Sequence, residues 1–219
     1  MGYRACRTAR LDESTYRRDA DRSRQTILDA AEGLFAEHGF DAVSMERIGR
    51  AANLSRGAPG YFFGSKEALY RAVMERLFET TEQLVERTHE QLAAVPPGDL
   101  ERTLEIVVDN LIDFLYERPT FVTLVEREAL RRAGVMQGNR VHLTLLRMAL
   151  TLAERLDWTS AASNPQHLLL TLLSLCWFPF ANPPLVRDLG GQLDRQFVEA
   201  RKRHVVALLK AGLNGGRRR

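Results

Sequence analysis

From residue 21 onward, apolar side chains return every three or four positions, the period of a helix with one buried face. In the first run, Ile27, Ala31, Leu34, Phe35 and His38 share one face of a helix over 21–38, and Gly39 is placed to end it. Met45, Ile48 and Ala52 mark a short helix with Ser44 as its N-cap. Asn53 follows where the chain must reverse, and Asn tolerates the left-handed backbone such a turn needs. A second short helix is expected over 56–62, capped by Ser55, with small residues early (Gly57, Ala58, Gly60) and aromatics late (Tyr61, Phe62, Phe63). Ser65 caps a long helix carrying Leu69, Val73, Leu77 and Leu84, which runs to about Leu92 before Val95-Pro96-Pro97-Gly98 breaks it.

The second half continues the helical period. Leu100, Leu104, Val107, Leu111 and Leu115 form a stripe that ends before Pro119. A helix over 120–133 carries Phe121, Leu124, Val125 and Leu130, and Gly134 and Gly138 mark the next break. Val141, Leu145, Met148 and Leu152 mark another helix, ending near Asp157. Asn164 reads as an N-cap with Pro165 at the first helical position. The helix over 165–180 is apolar nearly all round, so it must be buried on several sides. Asn182-Pro183-Pro184 stops it, and 185–189 adds one turn. A last helix over 191–211 turns Leu193, Phe197, His204, Leu208 and Leu209 inward, with Gly212 as terminator. No strand signal or internal repeat stands out, so the expected fold is all-α.

Residues 1–20 lack periodicity and are rich in Arg, Asp, Ser and Thr, the composition of a mobile arm. Composition adds modest constraints. The net charge is only +3 over 219 residues, but arginines crowd the N-terminus and 217–219 are all arginine. Such ends bind phosphates or are simply solvated. Cys6 and Cys176 are too few and too far apart for a disulfide framework, which fits a reducing compartment. The apolar run 168–181 is too short for a membrane span and contains Pro179, and no signal-peptide pattern opens the chain, so a soluble, cytoplasmic protein is expected.

Chemistry concentrates in 44–66, SMERIGRAANLSRGAPGYFFGSK. The pattern is a helix-turn-helix, whose second helix enters the DNA major groove by its N-terminal end. A phosphate loop is the competing reading, but the order Gly64-Ser65-Lys66 displaces the lysine from G-x-x-x-x-G-K-[ST], and the preceding residues are helical in pattern. The five histidines lack ligand spacing, no nucleophile elbow is present, and Glu126 and Glu128 point to different helix faces. No metal, cofactor or catalytic residue is therefore expected, and an enzyme is the weaker reading. Arg56 suits a guanine edge or a phosphate, and Gly57 and Ala58 permit close approach to bases.

The stretch TILDAAEGLFAEHGFDAVSMERIGRAANLSRGAPGYFFGSKEALYRAV resembles the DNA-binding domain of the tetracycline-repressor (TetR) family of bacterial transcription regulators. The resemblance implies a helix-turn-helix domain at 21–80 after an arm at 1–20, a helical ligand-binding and dimerisation domain at 81–213, and a basic tail at 214–219. It implies DNA contacts from Ser44, Arg47, Arg56, Tyr61 and Lys66, with Lys66 on a backbone phosphate and Ser44 with nearby amides on another. Met45, Ser55, Gly57, Ala58, Pro59 and Gly60 complete that surface. The family commonly has a bulky apolar residue and a tyrosine where Pro59 and Gly60 stand, so Tyr61 would take over a phosphate contact. The last two long helices would pair with a second copy through Leu168, Leu172, Leu175, Cys176, Phe197, Val205 and Leu208. An apolar or aromatic effector would meet Phe78, Phe114, Phe121, His142, Trp177 and Phe178. The implied function is a homodimeric regulator, more often a repressor, released from a palindromic DNA operator by a small molecule. A helix-turn-helix protein that binds DNA without a ligand is the alternative.

Overall fold

The computed structural model describes residues 12–131 and 165–215, and every regular element among them is an α-helix. The helices are α1 (Asp12–His38), α2 (Met45–Ala51), α3 (Ala58–Phe63), α4 (Lys66–Ala93), α5 (Leu100–Glu117), α6 (Pro119–Arg131), α7 (Pro165–Ala181), α8 (Pro183–Asp188) and α9 (Arg195–Gly215). None of them is long and apolar enough to cross a membrane. Two compact units divide between Glu75 and Arg76, inside α4. The expected helix over 141–157 and the Asn164 cap lie outside the described residues.

The first unit is built on α1. Ile27, Leu28, Ala31, Phe35 and Ala36 are buried, as are Val43, Ile48 and Ala52 of the next segment and Leu69, Tyr70, Val73 and Met74 of α4. Phe35, Phe40 and Tyr70 form a ring cluster with centroids 5.1–5.8 Å apart. Gly39 (φ 78°) ends α1, and Asn53 (φ 54°) reverses the chain after α2, so both turns take the left-handed conformation their residue types favour. Ser44 Oγ caps α2 by accepting from Arg47 N, and Ser65 Oγ caps α4 by accepting from Ala68 N. Two expectations fail here. α1 reaches back to Asp12, so 12–20 are helical rather than part of an arm. Residues 15–19 are exposed on every side, and a solvated helix needs no apolar stripe to betray it. Ser55 does not cap α3; the cap is Gly57, and Ser55 O instead accepts from Ala58 N in the preceding turn.

In the second unit, α5 is buried along most of its length, from Thr103 to Leu115, and α9 packs along it through Val198, Lys202, Val205 and Leu209. Asp99 caps α5 by accepting from Arg102 N. Asp194 Oδ1 accepts from Phe197 N, so α9 starts at Arg195 rather than at 191. Gly212 does not stop α9, which continues to Gly215. The buried stripe of α9 also differs from expectation: His204 and Leu208 face outward, and Lys202 takes the inner position. That ammonium is held by Asp113 Oδ2 at 2.9 Å and Glu199 Oε1 at 3.0 Å. Burial alone would lower its pKa, but these hydrogen bonds and carboxylate charges carry it above the ordinary lysine value. Asp109 nearby is raised by burial, with Lys202 opposing the shift and the neighbouring carboxylates adding to it.

Pro179 lies inside α7 without ending it. Proline has no N–H to donate to the carbonyl four residues earlier, which is Leu175 O. Arg201 of α9 fills the gap: its Nε (3.1 Å) and Nη2 (2.7 Å) both donate to Leu175 O.

Candidate nucleic-acid interface

The close approach of α2 to α3 is set by Gly49. A Cβ there would stand 2.7 Å from Ser55 O and 3.2 Å from Pro59 Cδ, so only glycine allows this spacing. Pro59 is buried against that point and sits in the first turn of α3, where its missing N–H costs nothing. It is core of the motif, not the DNA-contact residue expected. The exposed approach to α3 consists of Ser55, Arg56 and Gly57, with Ala58 and Gly60 half-exposed. Tyr61 is 78% exposed and edge-on to Phe62. No hydrogen-bond or ion-pair partner engages Arg56 among the described residues. Ser44 is exposed and Met45 half-buried.

Two expected contacts have other engagements. Lys66 Nζ donates to Phe40 O at 3.0 Å and Val43 O at 3.1 Å and lies 4.3 Å from the Phe40 ring centroid. It ties α4 to the α1–α2 turn, and two of its three N–H donors are taken up there. Arg47 Nη2 donates to His38 Nε2 and is half-buried. An arginine only donates, so the imidazole must present its lone pair at Nε2. Neither tie leaves a mark in the linear pattern, because each partner becomes adjacent only through the Gly39 turn.

In the second unit, Phe78, Phe114 and Phe121 are buried, and Phe121 stands between Phe114 (4.9 Å) and Trp177 (6.0 Å) in edge-to-face contacts. All three belong to the buried core of this unit. Trp177 and Phe178 do line a cavity of about 640 Å³, together with Glu126, Leu173, Ser174, Leu175, Ala181, Asn182 and Arg201. Trp177 Nε1 donates to Glu126 Oε1 at 3.4 Å. Glu126 and Arg201 were not among the expected pocket residues; the orphaned carbonyl four residues before Pro179 was the available clue to Arg201. His142 lies outside the described residues. Of the expected dimer contacts, Leu168, Leu172, Cys176 and Val205 are buried within the single chain, which leaves them little surface for a partner. Leu175 and Phe197 are half-buried, and Leu208 is exposed, as are Leu170 and Phe178. Burial pushes the Cys176 thiol up to about 12, against a small opposing effect of Arg201, so it is a neutral core group.

A short helix with an exposed approach, held by a glycine-spaced turn on two supporting helices and followed by a separate all-helical unit, defines a helix-turn-helix protein. Residues 27–73 match the family model for bacterial regulatory proteins of the tetR family. The chain is 33% identical over 113 residues to the HTH-type transcriptional repressor NicS of Pseudomonas putida, a match spanning 52% of this chain and 51% of that protein. It is 34% identical over 130 residues to an HTH-type transcriptional repressor of Mycobacterium tuberculosis, spanning 54% and 68%. The fold is similar to that of a TetR-like regulator from Rhodococcus (TM-score 0.66, 21% identity, covering 88% of this chain and 96% of that one). It is likewise similar to the regulator FadR from Bacillus subtilis in complex with stearoyl-CoA (TM-score 0.61, 18% identity, covering 86% and 98%). The chain belongs to the tetR family. Its matches to NicS and to the regulator SrpR of Pseudomonas putida span only about half of their length.

Proposed function

We propose that the protein is a homodimeric, DNA-binding transcription regulator, more specifically a repressor released from a pseudo-palindromic operator by a small molecule. The observation that carries the DNA reading is the unengaged Arg56 beside Gly57 on the exposed approach to α3, where nothing bulky bars the backbone from base edges. Two copies would join through the outward faces of α7 and α9, where Leu170, Phe178 and Leu208 are exposed at 59%, 52% and 46%. The effector site would be the cavity beside Trp177 and Phe178, whose aromatic walls suit an apolar or aromatic ligand with a donor for Glu126. The site of action would be the cytoplasm.

The test is titration of the protein with DNA from upstream of its own gene, at several salt concentrations. Wild type should bind with a strong inverse salt dependence, and Arg56→Ala should lose roughly tenfold or more in affinity, within the about 1–3 kcal/mol of one arginine–base or arginine–phosphate contact. Nucleotide hydrolysis without DNA binding would instead return the phosphate-loop reading.

A further inference from the structure

We infer that Arg24, on α1, is a phosphate-binding residue of the DNA interface, held in position by stacking on Phe63 at the far end of α3. The inference rests on the DNA-binding reading. Its Cζ lies 4.7 Å from the Phe63 ring centroid. A guanidinium held against a ring by a cation–π contact still has N–H groups to donate, and these can grip a phosphate with charge-assisted hydrogen bonds. Arg24 is exposed, and among the described residues no carboxylate or carbonyl takes up that edge. Phe63 is half-buried as the last residue of α3, so the ring that aims the arginine is fixed to the recognition helix itself.

The other cations of this unit near α3 are differently placed. Lys66 is bound to two carbonyls and Arg47 to His38, whereas Arg56 precedes α3 and Arg24 lies over the ring of its last residue. Six residues of helix span about 9 Å at about 1.5 Å each. A major groove is about 12 Å wide. A helix of that length separates its two ends enough for Arg56 to meet base edges while Arg24 meets a phosphate at the groove wall. Pre-stacking also lowers the entropic cost of ordering a long side chain on binding.

The experiment measures binding to a random-sequence DNA duplex across salt concentrations, since a phosphate contact is sequence-independent. Wild type, Arg24→Ala, Arg24→Lys, Phe63→Leu and the double variant Arg24→Ala/Phe63→Leu are compared, each checked for folding by circular dichroism. Arg24→Ala should reduce the salt slope by about 0.9 for each phosphate that is no longer neutralised. Arg24→Lys should keep most of the slope but bind more weakly, because it lacks the planar fork. Phe63→Leu should weaken binding, and the double variant should be no worse than Arg24→Ala, because the ring acts through the arginine. An unchanged slope in Arg24→Ala, or fully additive effects in the double variant, overturns the inference. Absence of DNA binding by folded wild type would instead defeat the underlying DNA reading.

Discussion

Gly49→Ala tests how tightly the motif is set. The added Cβ would stand 2.7 Å from the backbone oxygen of Ser55, and neither atom belongs to a side chain that can swing away. An ordinary carbon–oxygen approach is about 3.3 Å or more, so α2 and the turn must separate by roughly 0.6 Å. Overpacking of this kind costs about 1–3 kcal/mol, offset in part by the about 0.5–1 kcal/mol that alanine gains over glycine in a helix. The net loss should be about 1–2 kcal/mol, or several degrees in the melting of a unit this size. Pro59, 3.2 Å from the same Cβ, would carry α3 with it, so DNA affinity should fall beyond what the unfolded fraction explains. Gly60→Ala is the control: its Cβ meets nothing within 4 Å, and the variant should be as stable as wild type or more so. Thermal unfolding followed by circular dichroism, with DNA titration well below the transition, reads both effects. A Gly49→Ala protein with wild-type melting and wild-type DNA affinity would refute the reasoning.

Lys66→Met should lower stability by about 2 kcal/mol or more by removing two charge-assisted hydrogen bonds, yet leave the salt slope of DNA binding unchanged; a flatter slope with normal stability would restore the phosphate assignment. Leu170→Glu and Leu208→Glu place a charge on already exposed positions, so each should yield folded monomers by sizing if α7 and α9 form the dimer face, and an unchanged oligomer would exclude that face. Asp109 has a raised folded pKa, so the folded chain holds its proton more tightly than the unfolded one, and this group's contribution to stability falls as pH rises from the ordinary Asp value through the raised one. Asp109→Asn should therefore raise the melting temperature at neutral pH, with the gain shrinking as pH drops through the carboxylate range; a pH-independent difference would contradict this.

The elements that bury a stripe are readable in the sequence, along with their caps at Ser44 and Ser65 and the turns at Gly39 and Asn53, because packing and backbone sterics both leave a residue-type signature. The first turns of α1 leave none, since solvated residues are free to be polar on every side. In α9 the periodicity reports a stripe but not its phase: Lys202 is charged and so does not count as inward, yet three carboxylates lie close enough to hold it there. The exposure of Arg56, Gly57 and Tyr61 is legible, because it depends on local position. Lys66 and Arg47 depend on which backbone or side-chain acceptor the fold brings near, and no spacing rule reports that.

The bond between Arg201 and the carbonyl that Pro179 leaves without a partner has a historical side. A lineage that acquired the proline first would have carried a half-buried acceptor without its helical donor, a defect of about 1–3 kcal/mol. One that acquired the arginine first would have carried only a long side chain lying across a neighbouring helix. Descendants that revert the proline are then free to vary the arginine, whereas descendants that keep the proline are not.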